Sequence, residues 1–432
     1  MRTDKPPVMK KRGLLLIVSW ILIKIPSAFA FDPDAPPETR IKLAPFLTFG
    51  GNVALTYELE KNFDLDDPQG RDVSISEPGL SLAFSFDPSK NFQAFLNAEL
   101  TGELKQAEGK KDQRQVKLEI KEAFLLFKNL VDSRSFFQIG RQRFEDDRQW
   151  LYDEELDAVG IFYLFSRLSL ELSVSRLDLV ARDFLNDEPA EQINNYIAYG
   201  NYALGEEVEI AAYIFARHDQ SEGRESPIFF GLHSSGEILA DLDYWLELAH
   251  VRGRDGSRKI RGIGLDVGST YVFDLPLEPS ISFGYAFGTG DDDPNDGVDK
   301  SFRQTGLQEN EGEFNGVPSF KYYGELFDPE LSNLSIFTGG IGVKLSEESS
   351  IDLVYHYYLQ HKASDNLRNV RIDADPDGSS RRLGSEIDLI IGFEEVQNVE
   401  LKLSLSYFIP GQAFPAESDS SFLANFEIQY NF

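Results

Sequence analysis

The chain of 432 residues contains no cysteine and only five histidines. Without cysteine it forms neither disulfide bonds nor a thiol-based catalytic or metal site. The histidines are scattered through the sequence without an H-E-x-x-H motif, and neither a G-x-S-x-G motif nor a P-loop occurs. Small exported domains often depend on disulfides, but a chain of this length buries enough surface to fold without them. These absences argue against an enzyme.

Basic residues and long apolar runs are also scarce. The chain has 42 Lys and Arg against 72 Asp and Glu, which gives a formal net charge of -30. Such an acidic chain argues against nucleic acid as a partner. After residue 30 no apolar run reaches about 18 residues, the length that predicts a membrane-spanning helix.

The first thirty residues have the pattern of a secretory signal peptide. Residues 1–12 carry five basic side chains, residues 13–25 are apolar except for Lys24, and Ala28 and Ala30 form an A-x-A-like cleavage site. The apolar run is too short for a transmembrane anchor. We therefore predict a signal peptide at residues 1–30 and a mature domain at residues 31–432.

In the mature chain the hydrophobic period is two. Residues 399–408 place Val399, Leu401, Leu403, Leu405 and Tyr407 on one face and polar side chains on the other. The last eleven residues alternate in the same way and end on Phe432. This alternation over segments of about ten residues is typical of transmembrane β-strands.

Eighteen such segments lie between residues 46 and 432, and the links between them alternate in length. Long links follow odd-numbered segments, whereas the short links follow even-numbered ones. Short periplasmic turns and long extracellular loops distinguish a transmembrane barrel from a soluble β-sandwich. The sequence predicts an all-β fold: a transmembrane antiparallel β-barrel of about 18 strands in a Gram-negative outer membrane, in contact with its lipid.

Two groups of motifs stand out from the alternating pattern. The first contains KEAF at 121–124 and GRQRFEDDRQWLYD at 140–153. The second contains RQTG at 303–306, YGE at 323–325 and PELSNL at 329–334. In this order the blocks resemble those of the alginate export family of outer-membrane porins. The resemblance covers roughly residues 40–432.

The resemblance implies a monomeric barrel of eighteen strands that passively exports a polyuronate, with a periplasmic scaffold as partner and no cofactor. It also implies an electropositive constriction. The motifs match the family's conduit at Lys121, Glu122, Arg143 and Asp153, with Arg141, Arg148 and Arg303 as weaker candidates. Glu309, Glu311 and Glu313 depart from the cationic character that a polyuronate pore requires.

The chemistry of these residues agrees with that cargo. Arg binds a carboxylate in a bidentate fork, and conduction requires binding that is favourable but weak. The alternative is that these groups form ion pairs that only satisfy one another inside the lumen. Strict alternation places Arg141 and Arg143 on the face of Ile139, so either that face is inward or a bulge at Gly140 redirects the strand.

An acidic run in the penultimate long loop suggests a cation site. Asp373, Asp375 and Asp377 match the first half of a calcium-binding loop, but position twelve is Gly384 instead of Glu. The two hypotheses are a weak Ca²⁺ site and a solvated turn. Two other functions also stay open: an uptake porin for small anions or sugars, and an adhesive or structural barrel whose acidic loops bind Ca²⁺.

Overall fold

The computed structural model describes residues 39–432 except 67–71, 178, 181, 187–191, 206–207 and 221–224. The predicted signal peptide therefore lies outside the described residues. In the described part, no helix is long and apolar enough to cross a membrane. Eighteen long strands build the fold: β1 Leu47–Lys61, β2 Val73–Ser89, β3 Phe92–Ala107, β4 Gln113–Lys128, β5 Ser135–Glu145, β6 Asp153–Leu164, β7 Leu168–Arg176, β8 Ile193–Ala203, β9 Val208–Asp219, β10 Glu225–Leu239, β11 Leu242–Asp255, β12 Arg258–Val272, β13 Ser280–Gly288, β14 Leu334–Ser346, β15 Ser349–Gln360, β16 Arg382–Phe393, β17 Val399–Pro410 and β18 Ser421–Asn431.

The strands form one closed antiparallel sheet. Each strand pairs with its neighbours in the sequence, and β18 pairs with β1 from Asn52 opposite Asn431 to Lys61 opposite Phe422. A short strand, Ile41–Ala44, pairs with the start of β1. Closure leaves no long unpaired edge in lipid. The predicted fold class and the count of eighteen strands are confirmed.

Side-chain alternation explains why these segments become barrel strands. Outward residues such as Val53, Leu55 and Leu172 are exposed and apolar, and inward neighbours are polar or buried. Aromatic pairs, among them Phe46 with Phe86 and Phe92 with Phe127, lie at the end of the barrel that carries the short turns. That end is periplasmic by its turn lengths. Three extracellular links depart from the pattern, because only residues 108–112, 220–224 and 256–257 join their strands.

The 45-residue loop between β13 and β14 (residues 289–333, called the plug) folds into the lumen. Asn315 donates a hydrogen bond to the carbonyl of Glu278 in a periplasmic turn, so the plug spans almost the whole lumen. Phe327 stacks on Phe408 with ring centroids 5.2 Å apart. Phe314 stacks on Trp245 at 5.6 Å. The plug packs against β11–β17 as a second, aromatic layer inside the barrel.

The wall is split between β4 and β5. Their ladder ends at Ala123 opposite Arg141, although β5 continues to pair with β6 as far as Glu145. Residues 182–186 (the strap) pair with the free edge of β4, where Glu119 bridges Asp183. The strap therefore closes the wall at the height where the β5–β6 hairpin departs from β4.

Gly140 permits this departure because its φ is +125°, a conformation that other residues rarely adopt. A Cβ atom there would lie 2.2 Å from the carbonyl oxygen of Ala123. We expect Gly140→Ala to destabilise the barrel by about 1–3 kcal/mol. Urea unfolding in lipid vesicles measures the change. Gly339→Ala is the matched control, because a Cβ at Gly339 meets nothing within 4 Å, and equal stability of the two variants would contradict this account.

Candidate pore and its lining

The open passage follows one side of the lumen. The plug and neighbouring loops bury most inward residues of β5–β17. Most inward residues of β18 and β1–β4, by contrast, are only half-buried. A cavity of about 330 Å³ lies against this open wall. Its lining comprises Ala54, Thr56, Glu77, Gly79, Glu99, Thr101, Glu103, Gln115, Lys117 and Glu119. The passage therefore lies between the wall formed by β18 and β1–β4 and the plug.

This wall is acidic. On its described inner face, between the turns and the loops, carboxylates outnumber lysines: Glu58, Glu60, Glu77, Glu99, Glu103, Glu119, Glu122 and Glu427 face the lumen with Lys105, Lys117 and Lys121. Cross-strand neighbours bring the carboxylates together, since Glu99 lies directly opposite Glu119. Like charges opposite one another are unfavourable unless cations or distance offset them. The wall itself is thus unlike the electropositive lining that the resemblance implied.

Cations reach the passage from the plug, from the loop after β15 and from β17, the strand next to β18. Arg371 contacts Glu58 at 2.7 Å and Glu60 at 3.4 Å. Lys402 lies 3.4 Å from Glu325 and 3.6 Å from Glu311, and Lys321 pairs with Glu309. Burial lowers the pKa of Arg371, but the nearby carboxylate of Glu58 outweighs this and the net pKa is raised. Each of these cations already holds a carboxylate.

Four of the predicted conduit residues come together at the split between β4 and β5. Lys121 is the extra residue of a bulge in β4, because Asn97 pairs with Glu122 and Ala98 with Ile120. The bulge places Lys121 and Glu122 on the same, inward side. Lys121 lies 3.2 Å from Glu155, and a carboxylate oxygen of Glu122 accepts the backbone N–H of Arg143 at 3.4 Å.

Arg143 is the most accessible cation of this cluster. Its guanidinium lies 2.9 Å from Asp153 and 3.0 Å from Glu145, and 47% of its side chain is exposed. The structure thus brings Lys121, Glu122, Arg143 and Asp153 to one place beside the passage. β5 forms no backbone ladder with β4 at this height. The side of β5 that carries Arg143 therefore faces the inner side of β4.

Arg141 has a different environment. It binds Asp157 in a bidentate fork at 2.9 and 3.0 Å and donates to the carbonyls of Ile120 and Val180. It is 4% exposed. The first alternative from the sequence is wrong, because the face of Ile139 is outward. The strand does change direction at Gly140, as the second alternative held, but the β5–β6 ladder has no bulge there. The bulge is on β4, and residues near the strap cover Arg141.

Arg148 and Arg303 lie away from this cluster and hold loops in place. Arg148 lies between the rings of Trp245 and Tyr322, with its guanidinium 4.3 and 4.0 Å from their centroids, and contacts Asp266 at 3.2 Å. Arg303 is 1% exposed and pairs with Glu225 and Asp299 near the extracellular rim. Both side chains are buried, and in this structure they anchor loops.

The remaining residues of the first block form a loop that packs against the plug. The carboxylate of Asp146 accepts the backbone N–H groups of Trp150, Leu151 and Tyr152. The indole N–H of Trp150 donates to the hydroxyl of Tyr323 at 3.0 Å. Burial raises the pKa of Asp146, although the three N–H groups oppose that rise. The first block of motifs thus fixes the loop at 146–152 against the second.

The acidic run at 373–377 does not gather its carboxylates. Asp373, Asp375 and Asp377 are exposed, and Asp377 accepts the backbone N–H of Ser379 at 2.7 Å. Across the described ranges, no group of three or more His, Asp or Glu side chains is placed to hold a metal ion. The calcium hypothesis gains no support from this geometry and stays a prediction.

Several charged residues of the lumen escaped the sequence analysis. Glu77, Glu99 and Glu119 occupy inward positions of predicted strands, so the period of two contained the signal for them. Lys402 was also on a predicted polar face. Arg371 comes from a long loop without periodicity, and no local pattern identifies it.

A closed barrel of eighteen strands, narrowed by a loop folded into its lumen, defines an outer-membrane channel. The sequence model of the Alginate export family matches residues 46–425. The chain belongs to this family, and its location is the Gram-negative outer membrane. The alginate production protein AlgE of Azotobacter vinelandii is 28% identical over 176 residues, which are 35% of this chain and 36% of that protein. The match thus spans about a third of that relative.

Solved structures with the same fold come from Pseudomonas aeruginosa. OccK11 (OpdR) has a TM-score of 0.57 at 14% identity, covering 94% of this chain and 99% of its own. The outer membrane protein opdK has a TM-score of 0.55 at 11% identity, covering 89% of this chain and 98% of its own. At such identities the likeness concerns the fold.

Proposed function

We propose that the chain is a passive channel that exports an anionic polysaccharide of the alginate type. The polymer passes between the wall of β18 and β1–β4 and the plug. No cofactor or energy coupling takes part. The proposal includes a periplasmic partner that delivers the polymer and a barrel that works as a monomer.

The supporting observation is a series of cations around the passage. Arg143, Lys321, Arg371 and Lys402 each hold a carboxylate of the protein. A uronate carries one carboxylate per sugar, which replaces such a partner with a group of the same chemistry. Exchange of equivalent partners costs little free energy, so the polymer moves from one cation to the next.

The acidic wall keeps this binding weak. A polyanion beside Glu77, Glu99 and Glu119 experiences repulsion that partly offsets its attraction to the cations. Conduction requires that a ligand enters and also leaves, and strong binding along the whole passage prevents release. The two charged sides together therefore suit a sliding polyanion.

A second candidate is a channel for small cations or neutral sugars. The observation that favours it is the cavity lining, in which four carboxylates accompany one lysine. Such a lining concentrates cations and excludes anions. The two candidates differ in their response to polyuronate, because a small-cation channel has no binding path for it.

Single-channel current in a planar bilayer tests the proposal. We expect oligomannuronate to block the wild-type current, and we expect Arg143→Glu to raise the half-blocking concentration about tenfold, which corresponds to about 1.4 kcal/mol. The reason is that the variant removes Arg143, the most accessible cation of the cluster at the split between β4 and β5. A neutral oligosaccharide of equal length is the control ligand.

Arg134→Glu is the matched control variant. Arg134 is an exposed arginine in a periplasmic turn, outside the passage. It should leave the block unchanged. Wild-type current that is indifferent to oligomannuronate, or equal weakening in both variants, would reject the polyuronate and favour the second candidate.

A further inference from the structure

Four basic side chains form an isolated group on the outside of the barrel. Arg252 and Arg254 lie on β11, and Lys259 and Arg261 lie on β12, close to the extracellular link between these strands. All four are exposed. Their inward neighbours, Val251 and Ile260, are buried, so the four side chains point away from the lumen. We call this group the rim patch.

The pairing of the strands brings like charges together. Arg252 lies directly opposite Arg261, and Arg254 lies directly opposite Lys259. Like charges in such positions repel one another and destabilise the pairing. Within the residues that the structure describes, no carboxylate forms an ion pair with the rim patch, and Arg252 donates only to the ring of His250. Among the described residues, therefore, no acidic side chain neutralises the group.

The surrounding surface also lacks acidic groups. The outward positions of the described strands β9–β13 carry apolar, hydroxyl, glycine, histidine and these basic residues, without a single Asp or Glu. The whole chain has 72 acidic residues against 42 basic ones. Outward positions of most other described strands also lack Asp and Glu, but none of these strand pairs gathers four cations. The rim patch is therefore a local excess of positive charge, which attracts an anion from outside the chain.

The height of the rim patch indicates which anion. Leu248 and Ile263 are exposed apolar residues of the lipid-facing band, 40% and 47% accessible. Arg252 follows Leu248 by four residues, and Arg261 precedes Ile263 by two. Arg252 and Arg261 pair with each other, so at a rise of about 3.4 Å per residue both begin about 7 Å beyond Ile263. They lie level with the exposed Ile228 of β10. That is the level of lipid headgroups at the edge of the hydrocarbon region.

We propose that the rim patch binds the phosphate groups of an anionic glycolipid in the outer leaflet. Arg pairs with phosphate through its planar fork, and several basic residues at a membrane surface act together on anionic headgroups. The acyl chains of the same lipid pack on the apolar side chains below, including Phe230, Leu232 and Leu248. The rim patch lies outside the pore, so this proposal does not depend on the function proposed for the channel.

The test uses the full chain, folded in a neutral detergent, and native mass spectrometry. The probes are lipid A, which carries phosphates, and its dephosphorylated form. We expect the wild-type protein to prefer lipid A by about tenfold or more. Changing all four residues of the rim patch to Gln should reduce this preference to about twofold, and the single-channel conductance should stay unchanged.

Lys111→Gln with Arg114→Gln is the matched control, because both cations are exposed near the extracellular end of β4. This double variant should retain the preference. Inorganic phosphate added in excess should not displace the lipid, since it lacks acyl chains. Equal preference in the wild type and the rim-patch variant overturns the proposal, as does displacement by free phosphate. If the fourfold variant does not fold, Arg252→Gln with Arg261→Gln is measured instead.

Discussion

Replacing residues 303–331 with a short glycine-serine linker should raise the single-channel conductance roughly threefold or more. An empty barrel of eighteen strands is a wide aqueous channel. In the intact chain the plug covers the inner faces of β11–β17 and reaches Glu278 at the periplasmic end. Its removal opens the whole cross-section, and current in a planar bilayer measures the gain.

The control for this deletion changes the plug without opening the lumen. Residues 292–296 are exposed, and replacing them with five glycine and serine residues should leave the conductance near its wild-type value. A large deletion also removes the anchoring contacts of Arg148 with Tyr322 and of Trp150 with Tyr323. Unchanged conductance in the large deletion would mean that the plug does not narrow the pore.

Replacing Glu77, Glu99 and Glu119 with Gln should strengthen block by oligomannuronate about tenfold, or about 1.4 kcal/mol. These carboxylates line the cavity and repel a polyanion in the passage. The same variant should lose cation preference in a salt gradient, which the reversal potential reports. Both effects should fall at high ionic strength, because salt screens charges in a wet lumen.

Replacing three carboxylates outside the lumen is the control for this triple variant. Asp112 and Glu417 are exposed on extracellular loops, and Asp293 is exposed in the part of the plug that lies outside the lumen. Replacing these three with their amides removes the same charge and should alter neither block nor selectivity by more than about twofold. If both triple variants change block and selectivity to the same extent, these properties depend on the net charge of the protein and not on the wall of the passage.

The fold was predictable because lipid imposes a simple pattern on the sequence. Outward positions must be apolar and every backbone group must be paired, so the period of two and the link lengths define the strands. The split between β4 and β5 was not predictable in this way. It depends on a bulge at Lys121, the backbone of Gly140 and a strap from another loop.

The site was predictable in part. The motifs identified the cluster of Lys121, Glu122, Arg143 and Asp153, which the structure brings together. They also pointed to Arg148 and Arg303, whose side chains anchor loops. A motif identifies positions that require particular residue types. A buried residue that anchors a loop meets this condition as well as a residue that lines a pore. Arg371 enters the passage only through the fold of its loop.

The accessibility of single cysteines tests the central claim most directly, because the chain has no cysteine of its own. Thr101 lines the passage, whereas Ser282 is 2% exposed beneath the plug. We predict that a charged thiol reagent modifies Thr101→Cys and not Ser282→Cys, and that oligomannuronate slows the reaction at Thr101→Cys while a neutral oligosaccharide does not. Equal reaction at both positions would contradict the placement of the passage. A rate at Thr101→Cys that is indifferent to oligomannuronate would contradict the polyuronate as cargo.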